Sequence, residues 1–446
     1  MAKKQENIME KIVALAKRRG FIFQSSEIYN GFSSCYDYGP LGVELKNNIK
    51  RAWWQAMVRD NQDIVGLDAS ILMSPKVWEA SGHLGAGFTD PMVECKKCHK
   101  RFRPDHLGDT SKCPECGGEL TETKRFNIMM KTFVGPVEDT ASEAYLRGET
   151  CQGIYVNFEN VREAMRLKIP FGIAQIGKAF RNEITPGNFT FRMREFEQME
   201  MQYFVHPKEK KKHFKRWRDA RMQWYLEYGI KKSNLKFYEQ TKEDLAHYSS
   251  AAYDIEYDFP FGADEIEGIH DRGDWDLSNH SQHSGKDLRY FDDETKEKYF
   301  PHIVETSAGA DRATLVFLVD AYSVVEGGRT KTTESTKEEE VVLRLDKRLA
   351  PIKAAILPLS KKFELAKPSQ EIFNELKSKW MVQYDETGSI GRRYRRQDEI
   401  GTPYCITVDF ETLEDKAVTV RDRDTMEQER INIAELKDYL EEKLEE

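Results

Sequence analysis

Apolar and polar positions alternate most regularly in FTFRMREFEQMEMQYF, residues 189–204. Read as a strand, its period of two puts Arg192, Arg194, Phe196, Gln198, Glu200 and Gln202 on one face. The other face takes Phe191, Met193, Glu195, Glu197, Met199, Met201 and Tyr203. KAFRNEIT lies just before it, across Pro186-Gly187, so the two runs predict an antiparallel hairpin. After Pro40, a residue suited to a first helical turn, Leu41, Leu45, Ile49, Trp53 and Ala56 recur at near-helical spacing. Long antiparallel strands flanked by helices predict an α+β fold for this part of the chain. Beyond Val341 the pattern changes. AAILPL, YCITVDF and KAVTVRD read as strands, SQEIFNELKSKW and IAELKDYLEEKLEE as helices, predicting a small α/β domain.

Between these regions lies EGGRTKTTESTKEEE, residues 326–340, a polar and charged stretch expected to be a linker. The predicted organisation is a domain over 1–340 and a second over 341–446. Two inserts are expected outside the central sheet of the first: a cysteine-bearing one near 95–125 and a helical one near 207–260. With 446 residues, 32% charged and 39% hydrophobic, the chain has an ordinary globular composition. No apolar run nears the roughly 18 residues that cross a bilayer, and the opening MAKKQENIMEKIVALAKRRG has no secretory core, so a cytoplasmic protein without membrane contact is expected. A net charge of −8 excludes coating nucleic acid by bulk charge, and DNA is not an expected partner. It leaves room for one RNA read by local basic patches.

Seven cysteines make a poor disulfide framework, and four form two pairs, Cys95-x-x-Cys98 and Cys113-x-x-Cys116, separated by fourteen residues. Four thiolates suit tetrahedral Zn²⁺ and leave no open position for water, which points to a structural site. His99 beside it reads as a surface residue. Gly172–Lys178 matches G-x-x-x-x-G-K, but Ala179 stands where a phosphate loop needs Ser or Thr, and a strand follows where it needs a helix. That reading fails.

The predicted hairpin brings Arg181 and Glu183 toward Arg192 and Phe196. A guanidinium holds phosphate, a carboxylate accepts from an amino group, and an aromatic face stacks on a base, so the set suits a nucleotide. Glu305-Thr-Ser-Ala-Gly-Ala-Asp-Arg312 is a small-residue turn entering an apolar helix. An arginine at that positive helix end is explained by a bound anion or a stacked ligand.

With these segments in place, the chain resembles class II aminoacyl-tRNA synthetases, and among them the homodimeric type of glycyl-tRNA synthetase. YDYGPLGVELKNNIKRAWW resembles the first class motif, FRNE with FRMREFEQME the second, and GADR the third. LRGETCQGIYVNF, PFGIAQIGKAFRNEITPGNFTFR, ETSAG, LAPIKAAILPLSKK and DETGSIGRRYRRQDEIGTPYC resemble the glycine type. The resemblance implies ATP binding by Arg181, Asn182, Glu183, Phe191, Arg192, Met193, Arg194, Glu195, Phe196, Glu265, Ile266, Gly309, Ala310, Asp311 and Arg312. Arg181 and Arg312 would be catalytic, Phe196 and Arg312 would sandwich adenine, and Glu265 would hold Mg²⁺ at the phosphates. Around glycine it implies Arg103, Glu149, Phe196, Glu197, Gln198, Met199, Glu200, Glu305, Thr306, Ser307, Ala308 and Gly309. Departures are Gly148 for Pro, Cys151 for Ala, Thr306 for Pro, and the GADEI context of Glu265. Cys151 reads as a small buried filler.

The implied reaction activates glycine with ATP and transfers it to tRNA(Gly), and the implied assembly is a two-fold dimer through the Pro40 helix. Arg392, Arg393, Arg395 and Arg396 around Tyr394, read as a Gly-flanked loop, are the expected tRNA contacts in an anticodon-binding domain. Lys210, Lys211, Lys212, Lys215 and Arg216 form either an acceptor-stem contact or a solvated helix face. Competing readings are a noncatalytic nucleic-acid-binding scaffold and a synthetase for serine or alanine. The intact Arg181, Glu183 and Arg312 oppose the first, and the Glu149, Glu200 and Ser307 set discriminates the second.

Overall fold

The computed structural model describes residues 2–85, 88–104, 107–108, 111–184, 187–241, 245–246, 249–327, 329 and 339–445, with the side chains of 2–7 left aside. Its centre is a seven-stranded sheet in the order Leu235–Glu239, Ala251–Phe259, Gly262–Gly273, His302–Gly309, Glu195–Val205, Phe171–Phe180 and Ile64–Gly66. All neighbours are antiparallel except Ile64–Gly66, which runs parallel to Phe171–Phe180.

The alternation in 195–205 decides how this sheet packs. Met199, Met201 and Tyr203 point into a core with Leu45, Ile49 and Trp53 of the helix Pro40–Trp54, with Ala313, Val316 and Phe317 of the helix Ala310–Ala321, and with Trp217 and Trp224 of Lys210–Glu227. On the opposite side, Phe171, Ile173 and Phe204 pack against Ile154, Tyr155, Phe158 and Leu277 from three short helices. Helices therefore cover both faces, and a polar cleft remains where the second face carries Phe196, Gln198 and Glu200.

Several segments differ from the sequence reading. The hairpin strands end at Phe180 and begin again at Glu195, so residues 181–194 form a long connection containing a short 3-10 turn, Phe189–Phe191. Pro186 of the expected turn lies outside the described residues. The segment 207–260, expected outside the sheet, supplies two of its strands, and its helix packs one face, with Trp217, Trp224 and Tyr225, into the core beneath the sheet. That helix is fixed by Arg221, whose Nε donates to Glu267 Oε1 at 2.6 Å, both side chains being almost fully buried. Gly391–Arg396, read as a loop, lies in the helix Ile390–Ile400. Of the expected linker, 328 and 330–338 lie outside the described residues, while its ends pair as strands Tyr322–Glu326 and Glu339–Leu343.

The C-terminal region has its own sheet, ordered Val382–Tyr384, Ala354–Pro358, Tyr404–Val408, Ala417–Asp422, Gln428–Asn432. Phe363–Leu376 and Leu436–Glu445 close one side over Ile356, Ile406 and Val418, and Ile390 and Tyr394 close the other over Leu357 and Cys405. Asn48 Nδ2 joins the two regions, donating to the carbonyls of Leu349 and Ala350 at 3.0 Å each.

Candidate active site

The cleft encloses about 280 Å³. Its lining includes Arg181, Glu183, Phe191, Arg192, Met193, Phe196, Glu265, Ile266, Gly309, Asp311 and Arg312. Arg181 is held in place by donating from Nε to the Gly148 carbonyl at 3.0 Å, with its guanidinium 5.4 Å from the centre of the Phe196 ring and 5.3 Å from that of Phe88. Arg312 rests on the Phe191 ring at 4.2 Å, and its Nε and Nη1 donate to the carbonyls of Phe191 at 3.1 Å and Glu265 at 2.8 Å. Two cations thus face one space, each anchored to backbone, so both are preorganised for an anion. The Glu265 carboxylate lies 3.5 Å from Arg312 and is close to half exposed. Burial and the neighbouring Glu265 charge push Asp254 up to about 6. A divalent cation would relieve that repulsion, so these residues fit a metal delivered with a nucleotide.

One end of the lining groups three carboxylates, Glu149, Glu200 and Glu305, with Gln198 and Ser307. All three carboxylates are buried. Burial, reinforced by Glu305 and Glu149, holds the Glu200 carboxyl well above the ordinary range. The Thr150 hydroxyl donates to it. Burial also acts on Glu305, but Arg272 and His270 outweigh it and hold this group down to about 2. Arg272 Nη1 donates to Glu305 Oε2 at 3.1 Å and binds Asp276 through Nε and Nη2, while Gln202 Nε2 donates to the same Glu305 oxygen at 2.7 Å. For Glu149, His83 at 3.3 Å, Arg272 and the Cys151 thiol outweigh burial and hold it well below the ordinary range. Arg272 is shared between Glu305 and Asp276, and a small cationic group entering this end would favour ionisation of the Glu200 carboxyl.

Other residues from the sequence reading lie elsewhere. The Asn182 backbone N–H donates to the Ile128 carbonyl at 2.7 Å, Arg194 donates to Ser33, and Glu195 pairs with Lys178 at the surface. Glu197 lies on the opposite face of the strand, paired with Lys46 at 3.1 Å and Lys50 at 2.9 Å. Met199, Ala308 and Ala310 belong to the core, Thr306 is fully buried, and Arg103 pairs with Asp90 at 3.2 Å. Asp311 borders the cleft, yet its carboxylate accepts from Lys46 and Tyr38 at 2.7 Å each and from the Glu197 N–H at 2.7 Å. The sequence reading missed Thr190, Gln240, Asp254, Gly268 and His270, which complete the lining, and Arg272 behind it. The alternation in GADEIEGIHDRG contained the signal: Ile266, Gly268, His270 and Arg272 share one face of their strand.

The four knuckle cysteines present their sulfurs within 4.8 Å of one another. The backbone N–H groups of Lys97 and Cys98 approach Cys95 Sγ at 3.4 Å each, and a Cβ on Gly118 would stand 2.9 Å from that sulfur. A small residue and inward N–H groups around converging thiols fit a tetrahedral Zn²⁺. Of the arginines read as tRNA contacts, Arg393 is buried and donates to the Pro358 carbonyl at 2.6 Å. Arg395 lies 3.5 Å from Glu340, Arg396 pairs with Asp385, and Arg392 is exposed.

An antiparallel sheet carrying two anchored arginines beside an aromatic ring, with a separate C-terminal α/β domain, defines a class II aminoacyl-tRNA synthetase. Family models agree: "tRNA synthetase class II core domain (G, H, P, S and T)" matches residues 134–322 and "Anticodon binding domain" matches 353–443. The chain is 53% identical over 464 residues to the glycine–tRNA ligase of Thermobifida fusca (strain YX), covering 100% of this chain and 99% of that one. It is 53% identical over 472 residues to that of Clostridium acetobutylicum, covering 99% and 100% respectively, and 54% identical over 435 residues to that of Treponema denticola, covering 96% and 95%. The chain belongs to the glycine–tRNA ligase family.

Proposed function

We infer that the protein activates glycine with ATP, forming glycyl-adenylate and pyrophosphate, and then transfers glycine to the 3′ end of tRNA(Gly). The observation that carries this reading is the buried Glu149, Glu200 and Glu305 set directly beyond the two anchored arginines. The carboxylates receive the ammonium of a small amino acid, and Arg181 and Arg312 receive the phosphates. The amino acid's own carboxylate is ionised at neutral pH and attacks the α-phosphorus without a general base, so catalysis rests on positioning and charge stabilisation. Glycine has no side chain to grip, so selectivity requires holding the ammonium on the carboxylates while excluding a methyl group.

Mg²⁺ bound with ATP supplies charge neutralisation at the phosphates. Glu265 and Asp254 are the residues that would hold it, the second an addition to the sequence reading. Zn²⁺ in Cys95, Cys98, Cys113 and Cys116 serves the fold of its insert. Residues 341–446 bind the anticodon region of the tRNA, with exposed Arg392 the best placed of the four arginines. The protein works in the cytoplasm as a homodimer through the Pro40–Trp54 helix.

The test is amino-acid-dependent exchange of labelled pyrophosphate into ATP with glycine, alanine or serine. Exchange with glycine alone is expected. Exchange with another amino acid would discard the pocket assignment, and no exchange at all would refute the enzymatic reading.

A further inference from the structure

Behind the glycine end of the cleft lies a group that the adenylation chemistry does not use. Cys151, the first residue of the short helix Cys151–Val156, is fully buried. Its Sγ and carboxylate oxygens of Glu200 and Glu305 all lie within 4.8 Å of one another. The thiol donates to Glu149 Oε1 at 2.8 Å. That oxygen has a replacement donor at hand: His83 Nε2 is buried without a hydrogen-bond partner and lies 3.3 Å from it, and Gln152 Nε2 donates to it at 3.0 Å. Cys151 can therefore lose its proton without stranding Glu149. Thr150 Oγ1 donates to one Glu200 oxygen, and a carboxylate has lone pairs beyond that bond for a ligand.

We propose that Cys151, Glu200 and Glu305 form a binding site for a soft divalent cation such as Zn²⁺ or Cd²⁺, so that such a metal competes with glycine. The proposal rests on the assignment of this end of the cleft to the amino acid. One sulfur with two carboxylate oxygens suits a borderline or soft ion and disfavours Mg²⁺, which takes oxygen alone, so the ATP-bound metal does not occupy it. On binding, the sulfur–metal bond forms as the thiol proton leaves to solvent, and no oxidant or reductant takes part. The ion satisfies the negative charge that the ammonium of glycine would otherwise satisfy. Enzyme preloaded with zinc at the Cys95 knuckle is thereby inhibited by further metal, seen as a rise in glycine KM at unchanged kcat.

The experiment titrates Cd²⁺ into zinc-loaded protein and follows the ultraviolet thiolate-to-cadmium charge-transfer band, with Cys151→Ala and Glu200→Gln titrated alongside. The expected result is one saturable equivalent beyond the knuckle background, lost in Cys151→Ala, weakened in Glu200→Gln and suppressed by saturating glycine. Identical bands in wild type and both variants would overturn the proposal. Pyrophosphate exchange in chelator-treated buffer separates the two readings. Exchange with no Cys151-dependent band refutes the metal site alone. A Cys151-dependent band that glycine does not suppress, with no exchange, supports the site and refutes the amino-acid assignment.

Discussion

Replacing Glu200 by Gln removes a buried carboxyl that can ionise against an ammonium, while keeping the volume and an oxygen that can accept from the Thr150 hydroxyl. If Glu200 faces the ammonium of glycine, the lost interaction is one charge-assisted hydrogen bond, worth about 1.5–3 kcal/mol. That corresponds to a rise in glycine KM of roughly tenfold to 150-fold. If ATP lies against Arg181, Phe196 and Arg312, away from Glu200, its KM should hardly move. Pyrophosphate exchange, varied in glycine at fixed ATP and then in ATP at fixed glycine, measures both. Equal losses for the two ligands would show that Glu200 supports the cleft as structure, and the charge argument would fail.

The same substitution makes an independent prediction for pH. The folded Glu200 carboxyl is held above its ordinary value of 4.5, so the folded state gains protons relative to the unfolded one. Its contribution is fully present below that ordinary value and is lost as pH rises through the elevated folded value. Gln stays neutral throughout. Without glycine, the melting temperature of Glu200→Gln should therefore rise relative to wild type as pH increases from the acid side. Glu149 and Glu305 are shifted downward, so their contributions appear above the ordinary value and fade in acid, but they are common to both proteins. A melting difference that stays constant with pH would refute the account of the burial.

Arg181→Ala, removing a preorganised donor, is expected to lower the rate of glycine activation by about 3 kcal/mol in the barrier, and unchanged exchange kinetics would count against its role. Arg221→Met strands the buried Glu267 carboxylate and should cost about 3–5 kcal/mol, with much of it recovered when Glu267→Leu is added; thermal unfolding of the three proteins checks this. With saturating glycine present, zinc analysis should find one ion per chain fewer in Cys113→Ser than in wild type, and a strong chelator should lower the melting temperature of wild type but not of the variant. Arg392→Glu should weaken tRNA binding and leave exchange without tRNA intact, whereas Arg393→Met, which abandons the Pro358 carbonyl, should destabilise the C-terminal domain; calorimetry and filter binding separate the two.

Where periodicity was strong, the sequence was a good guide. The 195–205 strand, the Pro40 helix and the C-terminal strands all carry burial on one side or both, and burial is what hydrophobic patterning records. Legibility failed where polar atoms hold buried positions. In Ile390–Ile400 the run of arginines hid a helix whose inner face adds Arg393 and Gln397, satisfied by carbonyls and by Gln383, to the apolar contacts of Ile390 and Tyr394. Arg221 and Glu267 similarly disguised the inner side of the 210–227 helix, which was taken for an external one. Within the site, the residues reached through the nucleotide motif were largely brought together, because one hairpin carries most of them. His270 and Arg272 come from a strand far along the chain, and their role depends on the register His270↔Glu305, a pairing that the alternation of one segment does not encode.

That dependence on register explains why the back of the sheet matters to the front. Asp311 and Arg312 are successive residues on one helix and so project about 100° apart, one toward the core and one toward the cleft. Asp311 is locked to Lys46 and Tyr38 from the Pro40 region and to the backbone of Glu197 on the central strand. Glu197, two residues along from the cleft strand's Glu195 and beside Phe196, is tied to Lys46 and Lys50 of the same helix. The buried ionic cluster therefore fixes three elements against one another at a single point: the helix bearing Arg312, the strand bearing Phe196, and the Pro40 helix. The placement of a cation and an aromatic ring across the cleft is a consequence of that lock, with Glu197 acting from the face of the strand turned away from the cleft and Asp311 from its border.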